Sequence, residues 1–192
     1  MTDSATADRA VPAVRHRARW AAVGALVVVA GLVAVLATRP PATASEAFSP
    51  LVGKPVPVLA GTTLSGSHYV LATPPGRYTV VNFFAAWCGP CQQEGPELVK
   101  FAYEHQRSGD ASLVSVVFDD TTDRARAYQG QLGATWPTLA DPGGRIALEF
   151  GVRAPPSTFV VAPDGRMVAF LVAPVTAADL DRLLARAGAS GA

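Results

Sequence analysis

The chain has 192 residues, of which 49% are hydrophobic and only 16% charged, with a mean hydropathy of +0.25. That balance excludes a disordered acidic or basic tail, and the length allows a sizeable core without a metal or several disulfides. A net charge of +1 leaves no basic footprint for nucleic acid, and two cysteines make neither a disulfide scaffold nor a four-cysteine zinc site.

Hydrophobicity and charge are unevenly spread. Residues 1–19 read as a basic stub, with Arg9, Arg15, Arg17 and Arg19 against Asp3 and Asp8. Residues 20–38, from Trp20 to Thr38, carry no charged side chain, and a helix of about 20 residues spans a bilayer. Only Arg39 follows directly. The arginine excess on the N-terminal side predicts a single-pass signal anchor in the cell membrane, with a cytoplasmic N-terminus and an extracytoplasmic remainder. The run exceeds the ~7–15 apolar residues of a cleaved signal peptide. Ala42-Thr43-Ala44 is nevertheless a small-residue site of the kind such cleavage uses. Residues 39–49 read as a tether around Pro40 and Pro41, residues 50–188 as one domain and 189–192 as a tail. Residues 45–192 hold eleven basic and thirteen acidic side chains, a mildly acidic balance.

Within the domain, Val56–Leu59 and Ser67–Leu71 are expected as short strands around Gly61 and Gly66. Tyr78–Phe84 is β-branched, aromatic and almost wholly apolar, as suits a central strand buried on both faces. A helix is expected from Gly89 to Gln106 and a second buried strand from Ser112 to Phe118. Thr122 reads as the N-cap of a helix stopped by Gly133. A short strand is expected near Trp136–Leu139, and a helix from Arg145 to Phe150 before Gly151. Strands Thr158–Val161 and Met167–Val172 flank the turn Pro163-Asp164-Gly165. Thr176 caps a last helix that is expected to end at Gly188. Alternating strands and helices predict an α/β sandwich with a partly parallel central sheet, to which the closing hairpin adds an antiparallel edge.

Both cysteines lie in Trp87-Cys88-Gly89-Pro90-Cys91, where a strand gives way to a helix. A thiolate at Cys88 would sit at the helix N-terminus, where unpaired N–H groups and the macrodipole favour an anion. Its pKa would fall below the free-cysteine value of ~8.5. Cys91, one turn on, is placed to resolve a mixed disulfide. Gln92 stands where a haem-attachment motif needs histidine. His68 and His105 have no ligand-like spacing, so no metal site is expected. A structural disulfide across three residues closes too small a loop to stabilise much. Redox catalysis is the reading that remains.

The segment Val81-Asn82-Phe83-Phe84-Ala85-Ala86-Trp87-Cys88-Gly89-Pro90-Cys91 resembles the active-site segment of the thioredoxin superfamily. With the anchor, an extra N-terminal strand pair and a central insertion, the chain is similar to the membrane-anchored extracytoplasmic branch typified by TlpA, ResA and the cytochrome c maturation thioredoxins. The resemblance covers about residues 50–187 and includes Pro96. It implies a thioredoxin-like fold, with Cys88 and Cys91 as a redox-active disulfide needing no other cofactor. Trp87, Gly89 and Pro90 would lie beside substrate. Gly151–Phe159 resembles the family's cis-proline loop, which makes Pro156 the cis residue. Pro155 precedes it here and has no N–H to offer substrate.

Asn82 stands where cytoplasmic thioredoxins have a buried Asp, and Asn cannot accept a proton. The resemblance points instead to Glu94, in Cys91-Gln92-Gln93-Glu94-Gly95-Pro96, and to Asp120 as acids assisting Cys91. The plain alternatives are a solvated first-turn acid and a strand-end loop acid. The implied activity is a protein-disulfide reductase acting on exported proteins, with apocytochrome c among the expected substrates. Its implied partner is a membrane electron donor of the DsbD or CcdA kind. The opposite direction, oxidation of exported thiols, stays open. So do a peroxiredoxin-type peroxidase and a copper metallochaperone, although the latter family uses a wider cysteine spacing and a downstream histidine that is missing here.

Overall fold

The computed structural model describes residues 14–37, 44–72 and 76–190, which fall into two units, residues 1–41 and 42–192. In the first unit, α1 runs Val14–Ala37. Apolar side chains are described without a break from Ala22 to Ala34, all exposed. At 1.5 Å per residue they make about 20 Å of helix, against a hydrocarbon core of ~30 Å. Among the described residues no helix is long and apolar enough to cross a membrane. The expected span at 20–38 is therefore not a finding of the structure. Thr38, stub residues 1–13 and tether residues 39–43 lie outside the described residues.

The second unit contains β1 (Ser45–Glu46), β2 (Ala60–Thr62), β3 (His68–Val70), β4 (Tyr78–Phe84), α2 (Gly89–Ser108), β5 (Ala111–Val117), α3 (Thr122–Leu132), β6 (Thr138–Leu139), α4 (Arg145–Phe150), β7 (Ser157–Val161), β8 (Met167–Val172) and α5 (Ala177–Ser190). Six strands form one sheet in the order β1-β8-β7-β4-β5-β6. β4, β5 and β6 run parallel, while β7 pairs antiparallel with both β4 and β8. This is the expected α/β sheet, with the α3–β6–α4 segment inserted between β5 and β7. The expected extra strand pair is present as the separate β2–β3 hairpin.

Several details differ from the sequence reading. The first strand of the small hairpin lies at 60–62 rather than 56–59. Gly61 is within it, and a Cβ there would already touch Leu139 Cδ2 at 3.4 Å. The closing hairpin adds antiparallel strands beside β4 as expected, but Ser45–Glu46, expected in the tether, pairs with β8 and takes the outermost position in place of it. Thr121, not Thr122, caps α3, its side chain accepting the Arg124 N–H at 3.4 Å. α5 continues through Gly188 to Ser190.

Period-two alternation explains how the sheet is covered. Val81 and Phe83 of β4 face one cluster with Phe159 of β7 and Ile146 and Phe150 of α4. Val80 of β4 faces the opposite cluster with Val160 of β7, Leu98 and Phe101 of α2, and Leu180 and Leu184 of α5. Even-numbered β4 residues thus look toward α2 and α5, which puts Asn82 on that side. Phe159, fully buried, meets the rings of Phe83, Phe150 and Phe170 at 5.8, 5.3 and 4.4 Å between centroids. Replacing it by alanine is expected to cost about 3–5 kcal/mol in chemical denaturation. Leu148→Ala on α4, where the side chain is 81% exposed, is expected to stay within about 0.5 kcal/mol. Equal losses in the two variants would contradict this placement of the core.

Candidate active site

β4 delivers the chain from Phe84 through residues 85–87 to Cys88, which caps α2. Its backbone is extended, with φ −82° and ψ 107°, and its Sγ accepts the Cys91 N–H at 3.1 Å. The Gln92 N–H reaches the Cys88 carbonyl at 3.1 Å. Pro90 occupies the first turn, where no N–H is required. Cys88 and Cys91 are joined as a disulfide, with Cα atoms 5.2 Å apart. They pack among Leu64, Phe84, Ala85, Val117 and Ala125. Trp87, Gly89 and Pro90 around them are exposed.

The loop before Cys88 is braced on several sides. The Ala86 N–H donates to Asp120 Oδ2 at 2.7 Å, and Gln92 Nε2 donates to the Ala86 carbonyl at 2.8 Å. Trp87 Nε1 donates to the Asp119 carbonyl at 3.0 Å, and Asp119 itself has a φ of 44°. Asp120, expected as a second acid, has both oxygens engaged by backbone N–H groups, the second being that of Thr121 at 2.7 Å. It braces the loop. The Pro155–Pro156 peptide bond is cis, and Pro156 is buried. β7 begins at the next residue, and Ser157 is opposite Phe83. The loop therefore lies at the end of the sheet from which the cysteine segment departs.

Glu94 is not a solvated acid. It is 1% exposed, one turn beyond Cys91 on the inner face of α2. Asn82 Nδ2 donates to its Oε2 and the Val175 N–H to its Oε1, each at 3.1 Å, and the Thr158 side chain beside them also favours its charged form. Burial raises its pKa to about 7 against the lowering effect of the Val175, Asn82 and Thr158 hydrogen bonds. The site also uses residues that sequence reasoning missed. Tyr128 Oη on α3 donates to the Cys91 carbonyl at 3.0 Å, and burial, then the Glu94 charge, raise its own pKa. Gly95 permits this approach: a Cβ there would stand 2.6 Å from Tyr128 Oη and 2.9 Å from Leu132 Cδ1. The one available signal was Asn82, a polar residue deep inside an apolar strand.

Glu94 binds its proton more tightly folded than unfolded, so the folded state holds more protons between pH 4.5 and about 7. Stability must then fall as pH rises through that window and level off above it. Glu94→Gln is expected to remove this slope, on the order of 3 kcal/mol across the window. Urea denaturation of both proteins at pH 4.5, 6 and 8 checks it; parallel profiles would contradict a buried, uptake-linked carboxyl.

The AhpC/TSA family pattern matches residues 52–170. Thiol:disulfide interchange protein HelX of Rhodobacter capsulatus is 34% identical over 102 residues, covering 53% of this chain and 55% of that protein. Thiol:disulfide interchange protein DsbE of Allochromatium vinosum is 31% identical over 132 residues, covering 67% and 71%. A thiol:disulfide interchange protein of the thioredoxin family from Chlorobium tepidum has a crystal structure that superimposes with a TM-score of 0.62 at 25% identity. It covers 73% of this chain and 98% of that one. The chain spans about half the length of HelX and of CycY from Rhizobium leguminosarum. The matched span encloses both cysteines, Glu94 and the cis-proline loop, and the chain belongs to the AhpC/TSA family, on a thioredoxin-like α/β fold.

Proposed function

We propose that the chain is an extracytoplasmic, membrane-tethered thiol–disulfide oxidoreductase that reduces disulfides of exported proteins. The observation that carries this reading is the cysteine pair at the N-terminus of α2, with buried Glu94 one turn behind it. Names of relatives such as HelX and DsbE support the reaction class. The Gly-Pro pair between the cysteines supports the reducing direction, by likeness to reducing thioredoxins. The apolar run 20–38 and the arginines before it support the tether and the extracytoplasmic side.

In the reaction, the Cys88 thiolate attacks one sulfur of a substrate disulfide. The other substrate sulfur leaves as a thiolate and takes a proton. Cys91 gives its proton to Glu94 and attacks Cys88 Sγ, expelling the second substrate thiolate. Two electrons have passed to substrate, and the Cys88–Cys91 disulfide has formed. Recharging requires a dithiol donor, for which a membrane protein of the DsbD or CcdA kind is the proposed partner. The α2 N-terminus favours Cys88 as thiolate and as leaving group. Trp87, Gly89 and Pro90 offer substrate an open rim, while Pro155 contributes a carbonyl but no N–H. Apocytochrome c is one proposed substrate.

Cys91→Ser is expected to accumulate a mixed disulfide on Cys88, visible on non-reducing gels and identifiable by mass spectrometry. Cys88→Ser is expected to lose disulfide-reductase activity by at least about 100-fold. Full activity in either variant would overturn the mechanism. Equilibration against a glutathione series measures direction: a potential near that of thioredoxin, about −270 mV, supports the reductase, and one near that of DsbA, about −120 mV, makes the protein an oxidant. Peroxide turnover faster than disulfide exchange would favour a peroxidase instead.

A further inference from the structure

Asn82 is the polar residue at the centre of β4, and it is 1% exposed. An amide there replaces apolar packing and needs partners. Its two amide hydrogens are both spent in one direction: Nδ2 donates to Glu94 Oε2 and to Thr158 Oγ1, each at 3.1 Å. Its Oδ1, equally buried, has no hydrogen-bond partner among the described residues. Turning the amide over would set Oδ1 against Glu94 Oε2, two acceptors face to face unless Glu94 carries a proton. The observed orientation aims both amide hydrogens at Glu94 and Thr158.

Thr158 completes the arrangement. It is the direct cross-strand partner of Asn82 in the β4–β7 ladder, and it is fully buried on the same face. Its oxygen accepts from Asn82 at 3.1 Å, which ties the amide to β7, and the side chain also favours the charged form of Glu94. With the Val175 N–H on Oε1, Glu94 meets donors from β4 and from the segment before α5, and β7 anchors the first of them through Thr158. Cys91 lies one turn back on α2, and the Tyr128 hydroxyl donates to its carbonyl from α3 at 3.0 Å. The groups that stabilise the carboxylate are dipoles; no cation is among them.

We infer that Asn82 is a positioning residue: with Thr158 it fixes the Glu94 carboxyl in one place behind the cysteine pair and stabilises it as a carboxylate in a buried helix–sheet interface. Asn82 does not exchange a proton itself. It decides how readily Glu94 gives one up or takes one. This rests on the reading of Glu94 as the proton partner of Cys91, but the test separates the two.

The measurement is a carbon-13 titration of the Glu94 carboxyl by NMR in the full chain in detergent micelles, with Glu94→Gln identifying the resonance. Asn82→Leu removes both donated hydrogens with little change in volume. Its Glu94 midpoint is expected at higher pH than in the unsubstituted protein, by about tenfold in proton concentration for loss of one charge-assisted hydrogen bond. Thr158→Val is expected to move it the same way by less. A general loss of packing would lower the melting temperature without moving the midpoint. Unchanged midpoints in both folded variants overturn the inference. If Asn82→Leu does not fold, Thr158→Val alone decides, because it leaves β4 intact. The pH dependence of mixed-disulfide resolution, read in the same variants, is expected to move with the midpoint. A moved midpoint with an unmoved rate profile supports the role of Asn82 and overturns that of Glu94 toward Cys91.

Discussion

A carboxyl group sealed between a helix and a sheet, away from water, is tolerated only where dipoles replace its hydration. Glu94 satisfies that condition through donors from β4 and from the segment before α5, with Thr158 of β7 holding the first in place. Burial outweighs them, so its pKa rises to about 7, where proton gain and loss cost nearly the same. Much of the surrounding architecture follows from holding this group. β4 must carry Asn82 on the face toward α2. β7 must pair in the register that sets Thr158 beside it. The chain before α5 must offer the Val175 N–H, which it does in a segment where Ala173 has a φ of 69°.

The cysteine pair depends on the same elements from the other side. β4 ends at Phe84, residues 85–87 follow, and Cys88 then caps α2, the capping group being the sulfur itself. Asp120 and Gln92 hold Ala86 from two directions, so the approach to the helix is fixed before chemistry begins. Tyr128 holds the Cys91 carbonyl, and Gly95 makes room for it. Pro96 lies inside α2 and cannot donate to the Gln92 carbonyl, which interrupts the ladder just past this turn. Glu94, Gly95 and Pro96 are thus three consecutive residues with three separate duties: a proton site, a close approach and a break in the helix ladder.

What was legible in the sequence divides along physical lines. β4, α4 and β8 have the limits expected, because continuous apolar runs and adjacent glycine turns define them locally. β1 was hidden because Ser45–Glu46 is polar and becomes a strand only by pairing with β8. β2 was misplaced because Gly61 reads as a turn residue, whereas here a small residue lets the strand pass Leu139. The cysteines, Trp87 and the Pro155–Pro156 loop were legible from motif and resemblance. Glu94 was visible from the resemblance as an acid near Cys91, with a solvated first-turn acid as the alternative. Spacing along one helix cannot say whether the face it occupies is covered, and here β4, β7 and the approach to α5 cover it. Tyr128 and Thr158 carried no motif, since their roles depend on packing between elements far apart in the chain.

The central claim is that Glu94 takes the proton from Cys91 when the mixed disulfide is resolved. Stopped-flow measurement of that step across pH 5–9, in the full chain and in Glu94→Gln, tests it most directly. The account predicts a rate that rises with pH through an inflection near 7, where Glu94 becomes able to accept. In Glu94→Gln that inflection should vanish, leaving a slower rate that climbs only as Cys91 ionises by itself. An unchanged profile in the variant would contradict the account.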